Sequence, residues 1–164
     1  MGIFSFFGHA KNFFSDEEQA NIVNAIRNAE KATSGEIRIY VESKNPYVDP
    51  IERAKEIFYN LKMQQTEHRN AVILYLATRH REIALYGDEG IYRALGKEFW
   101  EAEVNHLIKD FSHIDLSGGI VECIEHVGQA LKEKFPFEKD VDKNELPDNM
   151  GFGNEPLFFW KNNR

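Results

Sequence analysis

Four acidic side chains that could bind a metal ion or catalyse a reaction stand at or near the ends of predicted helices and strands. Asp88 and Glu89 stand between two glycines directly after an apolar run, Glu36 begins another ordered segment, and Asp110 lies farther along the chain. Carboxylate oxygens are the ligands that Ca²⁺ and Mg²⁺ prefer. A pair of carboxylates can also act as a nucleophile and a general acid or base. Arg69 is a candidate for neutralising a bound phosphate group.

Three short segments have the patterns of β-strands. Residues 36–42 alternate polar and apolar side chains, which is typical of a strand. Residues 71–77 are nearly all apolar, which indicates a central strand covered on both faces. Residues 81–86 form a third apolar segment after a connection of only residues 78–80, so we expect an antiparallel hairpin.

Apolar residues at helical spacing predict the remaining elements, and several carry helix-capping signals. Ser15 and Glu18 form a capping box, and Asp49 followed by Pro50 is a typical helix start. The predicted helices cover residues 15–34, 50–61, 91–111 with a break or kink at Gly96, and 115–135. The order α-β-α-β-β-α-α predicts an α/β fold, a three-layer α/β/α sandwich around a small mixed sheet.

This topology predicts that distant segments meet at one edge of the sheet. A β-α-β unit makes the first two strands parallel, and the third strand runs back against the second. Residues 34–36, 68–70 and 87–90 should therefore lie together, and Asp110 should join them if the chain turns back at Gly96.

Three interpretations of this acidic edge stay open on the residues alone. Glu36, Asp88, Glu89 and Asp110 can form a metal site for Ca²⁺ or Mg²⁺, with Arg69 beside it. Asp88 is also a weak candidate for a catalytic acid–base group or nucleophile. The simplest interpretation is that Asp88 only caps the helix that follows it.

Composition limits the class of protein. A chain of 164 residues that is 42% hydrophobic suits one domain with a substantial core. A net charge of −7 disfavours nucleic-acid binding, because phosphate contacts need clustered Lys and Arg. No apolar run reaches the roughly 18 residues of a membrane span, and the N-terminus lacks the features of a secretory signal. A single cysteine, Cys123, lies in an apolar helical pattern, so we expect a core residue and a cytoplasmic location.

The chain divides into three parts by composition. Residues 1–14 are an aromatic N-terminal segment, residues 15–136 form the domain, and residues 137–164 are an acidic and partly mobile tail that ends with an apolar stretch. The aromatic residues at both termini either complete the core or contact a partner protein.

An ordered set of short motifs resembles the TPM domain family, a family of thylakoid-lumen and bacterial proteins. Residues 29–38 are similar to its opening motif, and Arg69-Asn70, residues 87–91 and Gly119-Ile120 follow in the family's order. The resemblance covers about residues 16–135. Gly87, Glu89 and Gly90 match family positions, whereas Asp88 stands where secreted relatives commonly have an apolar residue.

The resemblance implies an α/β/α sandwich, divalent-cation binding and, in the plant branch, acid phosphatase activity. We therefore expect a divalent-cation-binding module with a regulatory or interaction role, as a free-standing cytoplasmic member of the family. The alternatives are a metal-assisted acid phosphatase that acts on phosphomonoesters, and a protein-interaction domain in complex repair or quality control.

Overall fold

The computed structural model describes residues 13–111 and 115–137, together with the backbone of residues 151–152. Helices and strands alternate through the first half of the chain, and helices dominate the second half. The elements are α1 (Asp16–Glu30), β1 (Glu36–Glu42), α2 (Pro50–Asn60), β2 (Ala71–Ala77), β3 (Glu82–Gly87), α3 (Glu89–Leu95), α4 (Lys97–Phe111), α5 (Leu116–Lys134) and β4 (Gly151–Phe152).

The sheet has the strand order β3-β2-β1-β4, and the three predicted strands are confirmed. β1 and β2 are parallel, with a register that runs from Glu36 opposite Ala71 to Glu42 opposite Ala77. β2 and β3 form the expected antiparallel hairpin. The short strand β4, which pairs with Tyr40 and Val41 of β1, was not predicted, since its two residues lie in the segment interpreted as a tail.

Helices cover both faces of the sheet, which confirms the α/β/α sandwich. One core joins the sheet to α1, α4 and α5, and it includes Ile37, Ile39 and Val41 of β1. A second core joins the opposite face to α2 and includes Tyr40 of the same strand. β2 is buried along its whole length because it lies between β1 and β3 and beneath helices on both faces.

The predicted break at Gly96 is confirmed. Gly96 has a φ of 83° and a ψ of 155°, a backbone conformation that only glycine adopts readily, and it separates α3 from α4. The first helix is shorter than predicted and ends at Glu30. Thr33 explains this difference, because its hydroxyl donates a hydrogen bond to the Leu131 carbonyl and accepts one from the Gly35 amide.

Residues 1–12, 138–150 and 153–164, which include the aromatic termini and most of the predicted tail, lie outside the described residues. Phe14, from the end of the aromatic N-terminal segment, is buried in the core beside α1. Cys123 is also a core residue, as predicted. Within residues 13–111 and 115–137, no helix has the length and apolar character needed to cross a membrane.

Candidate functional site

Arg69 and Asp88 form a two-pronged ion pair at the predicted edge of the sheet. The Arg69 Nε donates to Asp88 Oδ2 at 2.6 Å, and its Nη2 donates to Asp88 Oδ1 at 2.8 Å. Asp88 Oδ1 also accepts the backbone N–H of Glu89 at 2.8 Å, so Asp88 is the N-cap of α3. The carboxylate is 1% exposed, and three N–H groups hold it in place.

The backbone around this pair explains why residue 90 is a glycine. Arg69 has a φ of 52°, and its carbonyl accepts the N–H groups of Gly90 at 2.9 Å and Ile91 at 3.2 Å. A Cβ atom on Gly90 would lie 2.2 Å from the His68 carbonyl oxygen. A side chain therefore does not fit at position 90, and the absence of one lets α3 begin directly against the segment before β2.

Glu89 adds a second carboxylate to the Arg69 guanidinium. Its Oε1 lies 3.4 Å from Arg69 Nη1, and its side chain is 53% exposed. The hydrogen bonds that Arg69 donates to Asp88 raise the pKa of Arg69 above its usual value, and the charges of Asp88 and Glu89 act in the same direction. Two neighbouring carboxylates thus hold one cation, which is a side chain of the protein itself.

The three segments predicted to share this edge do meet there. Asn70 Nδ2 donates to Ser34 Oγ at 3.1 Å, and the Asp88 N–H donates to the Ala71 carbonyl at 2.9 Å. Glu36 is buried at the start of β1, opposite Ala71 in the parallel register. Glu36 therefore lies at the same edge as the Arg69–Asp88 pair, at the beginning of the neighbouring strand.

Asp110 does not join the edge, contrary to the expectation from the sequence. A Cβ on Gly119 would meet the Asp110 carboxylate, and the carbonyl of the next residue, Phe111, accepts a hydrogen bond from Arg81 at the start of β3. Trp100, near the start of α4, packs against Gly87 at the other end of β3. The 15-residue helix spans about 22 Å, so turning back at Gly96 carries Asp110 to the opposite end of the sheet.

A cleft of about 750 Å³ opens beside the ion pair. Its lining mixes aromatic and charged side chains from α2, β3, α3 and α4. They include Tyr59, Tyr86, Tyr92, Trp100, Lys55, Arg93 and Glu101. Tyr92 and Trp100 stack with ring centroids 6.0 Å apart, and the Tyr59 and Tyr86 hydroxyls lie 3.4 Å apart. Burial, and then the hydrogen bond between the hydroxyls of Tyr59 and Tyr86, raise the pKa of Tyr86, so its phenol stays neutral at physiological pH.

The donor set fits a divalent cation only in exchange for Arg69. No group of three or more His, Cys, Asp or Glu side chains suited to a metal occurs in the part of the chain that the structure describes. The position of the guanidinium, however, is within reach of both Asp88 oxygens and of Glu89 Oε1. Two carboxylates with water completing the shell are a common Mg²⁺ arrangement, whereas Ca²⁺ takes six to eight oxygens.

A second polar cluster, which the sequence interpretation missed, lies at the opposite ends of β1 and β2. Arg53 donates to both oxygens of Glu42 at 2.7 and 2.9 Å, and the Tyr75 hydroxyl donates to the same carboxylate. Glu56 accepts a further hydrogen bond from Arg53. The available signal was the position of Arg53, four residues before Ile57 on the buried stripe of α2. A charged residue there requires a buried partner.

Comparison with known proteins agrees with this architecture. The TPM domain model matches residues 9–130. The NMR structure of the BA42 protein from the psychrophilic bacterium Bizionia argentinensis is similar with a TM-score of 0.78 and 39% identity, covering 87% of this chain and 97% of that one. The N-terminal domain of the cg2496 protein from Corynebacterium glutamicum shares the fold at a TM-score of 0.57 and 18% identity, over 84% of this chain and 80% of that one. No curated protein matches. Because the family model spans well over half of its length, the chain belongs to the TPM domain family.

Proposed function

We propose that this TPM domain binds a divalent cation, Mg²⁺ or Ca²⁺, at Asp88 and Glu89 in exchange for the Arg69 guanidinium. The observation that supports this proposal is that Arg69 already binds both carboxylates as a cation. A divalent ion carries twice the charge of the guanidinium and attracts the same oxygen atoms more strongly.

The exchange has a consequence for the neighbouring cleft. Arg69 is 36% exposed, so its side chain can leave the carboxylates without opening the core. A released guanidinium lies among the other side chains that line the cleft and adds a free positive charge there. Cation binding would thereby change what the cleft binds, which is a regulatory role for the module.

The single cysteine, which forms no disulfide within the chain, supports a cytoplasmic location.

Two carboxylates and a competing arginine predict weak binding. We expect a dissociation constant of about 1 mM, at the weak end of protein Ca²⁺ sites. Titration of the full chain with MgCl₂ and CaCl₂, followed by amide NMR, should shift the signals of residues 69 and 88–91. The same titration with NaCl at matched ionic strength controls for charge screening.

Four variants make the test specific. Glu89→Gln should weaken binding by about tenfold, or about 1.4 kcal/mol. Asp88→Asn should also weaken it while keeping the helix cap, because Asn is an equally good N-cap. Arg69→Gln should tighten binding, since the competitor is removed. Glu101→Gln, in the same cleft but paired with Lys97, should change nothing. Equal affinities for all four variants and the unmodified chain would contradict the proposal.

A metal-assisted phosphatase is the second candidate, supported by Lys55 and Arg93 in the same cleft, which can hold a phosphomonoester. The geometry favours it less, because both Asp88 oxygens already accept hydrogen bonds and are poor nucleophiles in this arrangement. If the chain hydrolyses p-nitrophenyl phosphate in the presence of Mg²⁺, and the Asp88→Asn variant loses this activity, the result would favour the phosphatase.

The interaction role in complex repair or quality control rests on the aromatic termini, which lie outside the described residues.

A further inference from the structure

The charges that line the cleft beside the ion pair balance one another. Three basic side chains and three carboxylates contribute to the lining. Asp88 and Glu89 share the Arg69 guanidinium. Glu101 is paired with Lys97, which is not part of the lining. The formal charge of the lining is therefore zero, and the cleft of the free chain offers a small anion no net attraction.

Arg69 belongs to both the proposed cation site and the cleft. It binds the Asp88 carboxylate through two N–H groups, and 36% of its side chain is exposed. Exchange for a divalent cation would leave these N–H groups without an acceptor and would give the lining two net positive charges. A guanidinium fork that fits one carboxylate fits another in the same geometry. Arg69 is thus available to a carboxylate ligand only after the exchange.

Two phenols in the same cleft add a neutral hydrogen-bond donor. The hydroxyls of Tyr59 and Tyr86 lie 3.4 Å apart, and the Tyr86 phenol keeps its proton because burial raises its pKa. Two hydroxyls that bond each other use one of their two protons, and no acceptor among the described residues takes the other. Both phenols lie within electrostatic range of the Arg69 guanidinium. An oxygen atom bound by Arg69 is therefore close to a second donor.

An aromatic surface on α3 and α4 can hold the ring of a ligand. The Tyr92 ring stacks on Trp100 with an angle of 12° between their planes, and Tyr92 is 41% exposed. Arg93, which has no ion-pair partner in the described part of the chain, lines the cleft beside it. The volume of about 750 Å³ lies within the usual range of small-molecule sites. A planar ring that carries one carboxylate matches this combination of groups.

We infer that a divalent cation and a small aromatic carboxylate bind this domain cooperatively, because the cation releases Arg69 to bind the carboxylate in the cleft. The inference rests on the proposed cation site and adds a ligand and a regulation to it. The Tyr59–Tyr86 hydroxyl pair supplies the second donor, and the ligand ring lies against Tyr92. The coupling is reciprocal, so the carboxylate strengthens cation binding by the same factor.

Isothermal titration calorimetry of the full chain with 2-naphthylacetate measures the coupling. We expect its dissociation constant to fall about tenfold when MgCl₂ is present at about ten times its own dissociation constant. NaCl at matched ionic strength controls for charge screening. The neutral amide of the same shape, 2-naphthylacetamide, should respond little to Mg²⁺, because it cannot neutralise the released guanidinium. Equal affinities for 2-naphthylacetate with and without Mg²⁺ would overturn the inference, as would no binding in either condition.

Amide NMR on the same samples separates the two proposals. If MgCl₂ shifts no signal among residues 69 and 88–91, the cation site is absent and both proposals fail. If these signals shift while the affinity for 2-naphthylacetate stays constant, the cation site stands and only the cooperative binding fails. Saturating 2-naphthylacetate should lower the dissociation constant of Mg²⁺ by the factor that calorimetry gives.

Three arginines provide matched variants with the same change of charge. Arg69→Gln should keep the cation site but reduce the coupling to about twofold, the remaining effect of the screened charge of the cation. Arg93→Gln removes a permanent charge, so it should weaken carboxylate binding about threefold with and without Mg²⁺ and leave the coupling intact. Arg79→Gln, exposed and outside the cleft, should change neither quantity. Full coupling in Arg69→Gln would show that the carboxylate contacts the metal directly and would refute the release of Arg69.

Discussion

The Glu42–Arg53 pair is almost fully buried, with side chains 1% and 3% exposed. Burial by itself lowers the pKa of Arg53, but the hydrogen bonds and charge of Glu42 more than offset this effect and raise it above the usual value. Arg53 therefore stays charged at any pH at which the protein folds. We expect Glu42→Gln to lower the free energy of unfolding by about 3–5 kcal/mol, because it removes the buried anion of Arg53 and leaves this buried cation with only the more exposed Glu56 as an ionic partner. Urea denaturation followed by circular dichroism measures this loss.

An exposed pair on the same helix is the control for this prediction. Lys55 and Glu52 lie 3.7 Å apart with side chains 45% and 60% exposed. Glu52→Gln should cost no more than about 1 kcal/mol, since water screens exposed charges. If both substitutions had the same small effect, the Glu42 carboxylate would not be compensating the charge of Arg53.

At the scale of residues, the sequence predicted which segments lie at the same edge of the sheet, but it did not predict which side chains form ion pairs there. The position of Asp88 at a helix start predicted its capping role, which depends only on local backbone geometry. The pairing of Asp88 with Arg69 was not predicted, because it requires the positive φ of Arg69 and the close approach of α3 at Gly90. Glu42 and Arg53 were missed because each has an ordinary place in its own element, and only packing brings them together.

At the scale of elements, α3 depends on one contact between backbones. Gly90→Ala would place a methyl group 2.2 Å from the His68 carbonyl oxygen, and backbone atoms cannot rotate away as side chains do. We expect a loss of about 1–3 kcal/mol, the usual cost of overpacking, and a fall in the melting temperature of several degrees. Thermal denaturation measures the fall, and Glu89→Ala, on the same turn but half exposed, should stay within about 0.5 kcal/mol of the unmodified chain.

The regular elements were predictable because their patterns repeat several times. β2 shows seven consecutive buried residues, and both the hairpin and the break at Gly96 follow from short-range signals. β4 has only two residues, too few for any periodicity, and its place beside β1 depends on the path of the whole chain. The position of Asp110 was wrong for a related reason. The position of Asp110 depends on the length of α4 as well as on the turn at Gly96, and the sequence interpretation considered only the turn.

At the scale of the whole molecule, Cys123 reports on unfolding because it is the single cysteine of the chain and is 3% exposed on α5, beside Glu103 of α4. Burial raises the pKa of its thiol, and the negative charge of Glu103 adds to the effect, so the native thiol is neutral and unreactive at pH 8. In the unfolded chain the same thiol has a pKa of about 8.5 and reacts readily.

Labelling of Cys123 with 5,5′-dithiobis(2-nitrobenzoic acid) should therefore follow the unfolded fraction, more than 10³-fold slower in the native chain than in 6 M urea. Glu42→Gln, which destabilises the fold, should accelerate labelling in proportion to its measured loss of stability. Mg²⁺ that binds only the native state at ten times its dissociation constant should slow labelling about tenfold, and this effect should vanish in Glu89→Gln. Rapid labelling of the native chain would instead show that α4 separates from α5 without global unfolding. Slowing that persists in Glu89→Gln would assign the cation to other residues, since the thiol senses any ligand that stabilises the native fold wherever it binds.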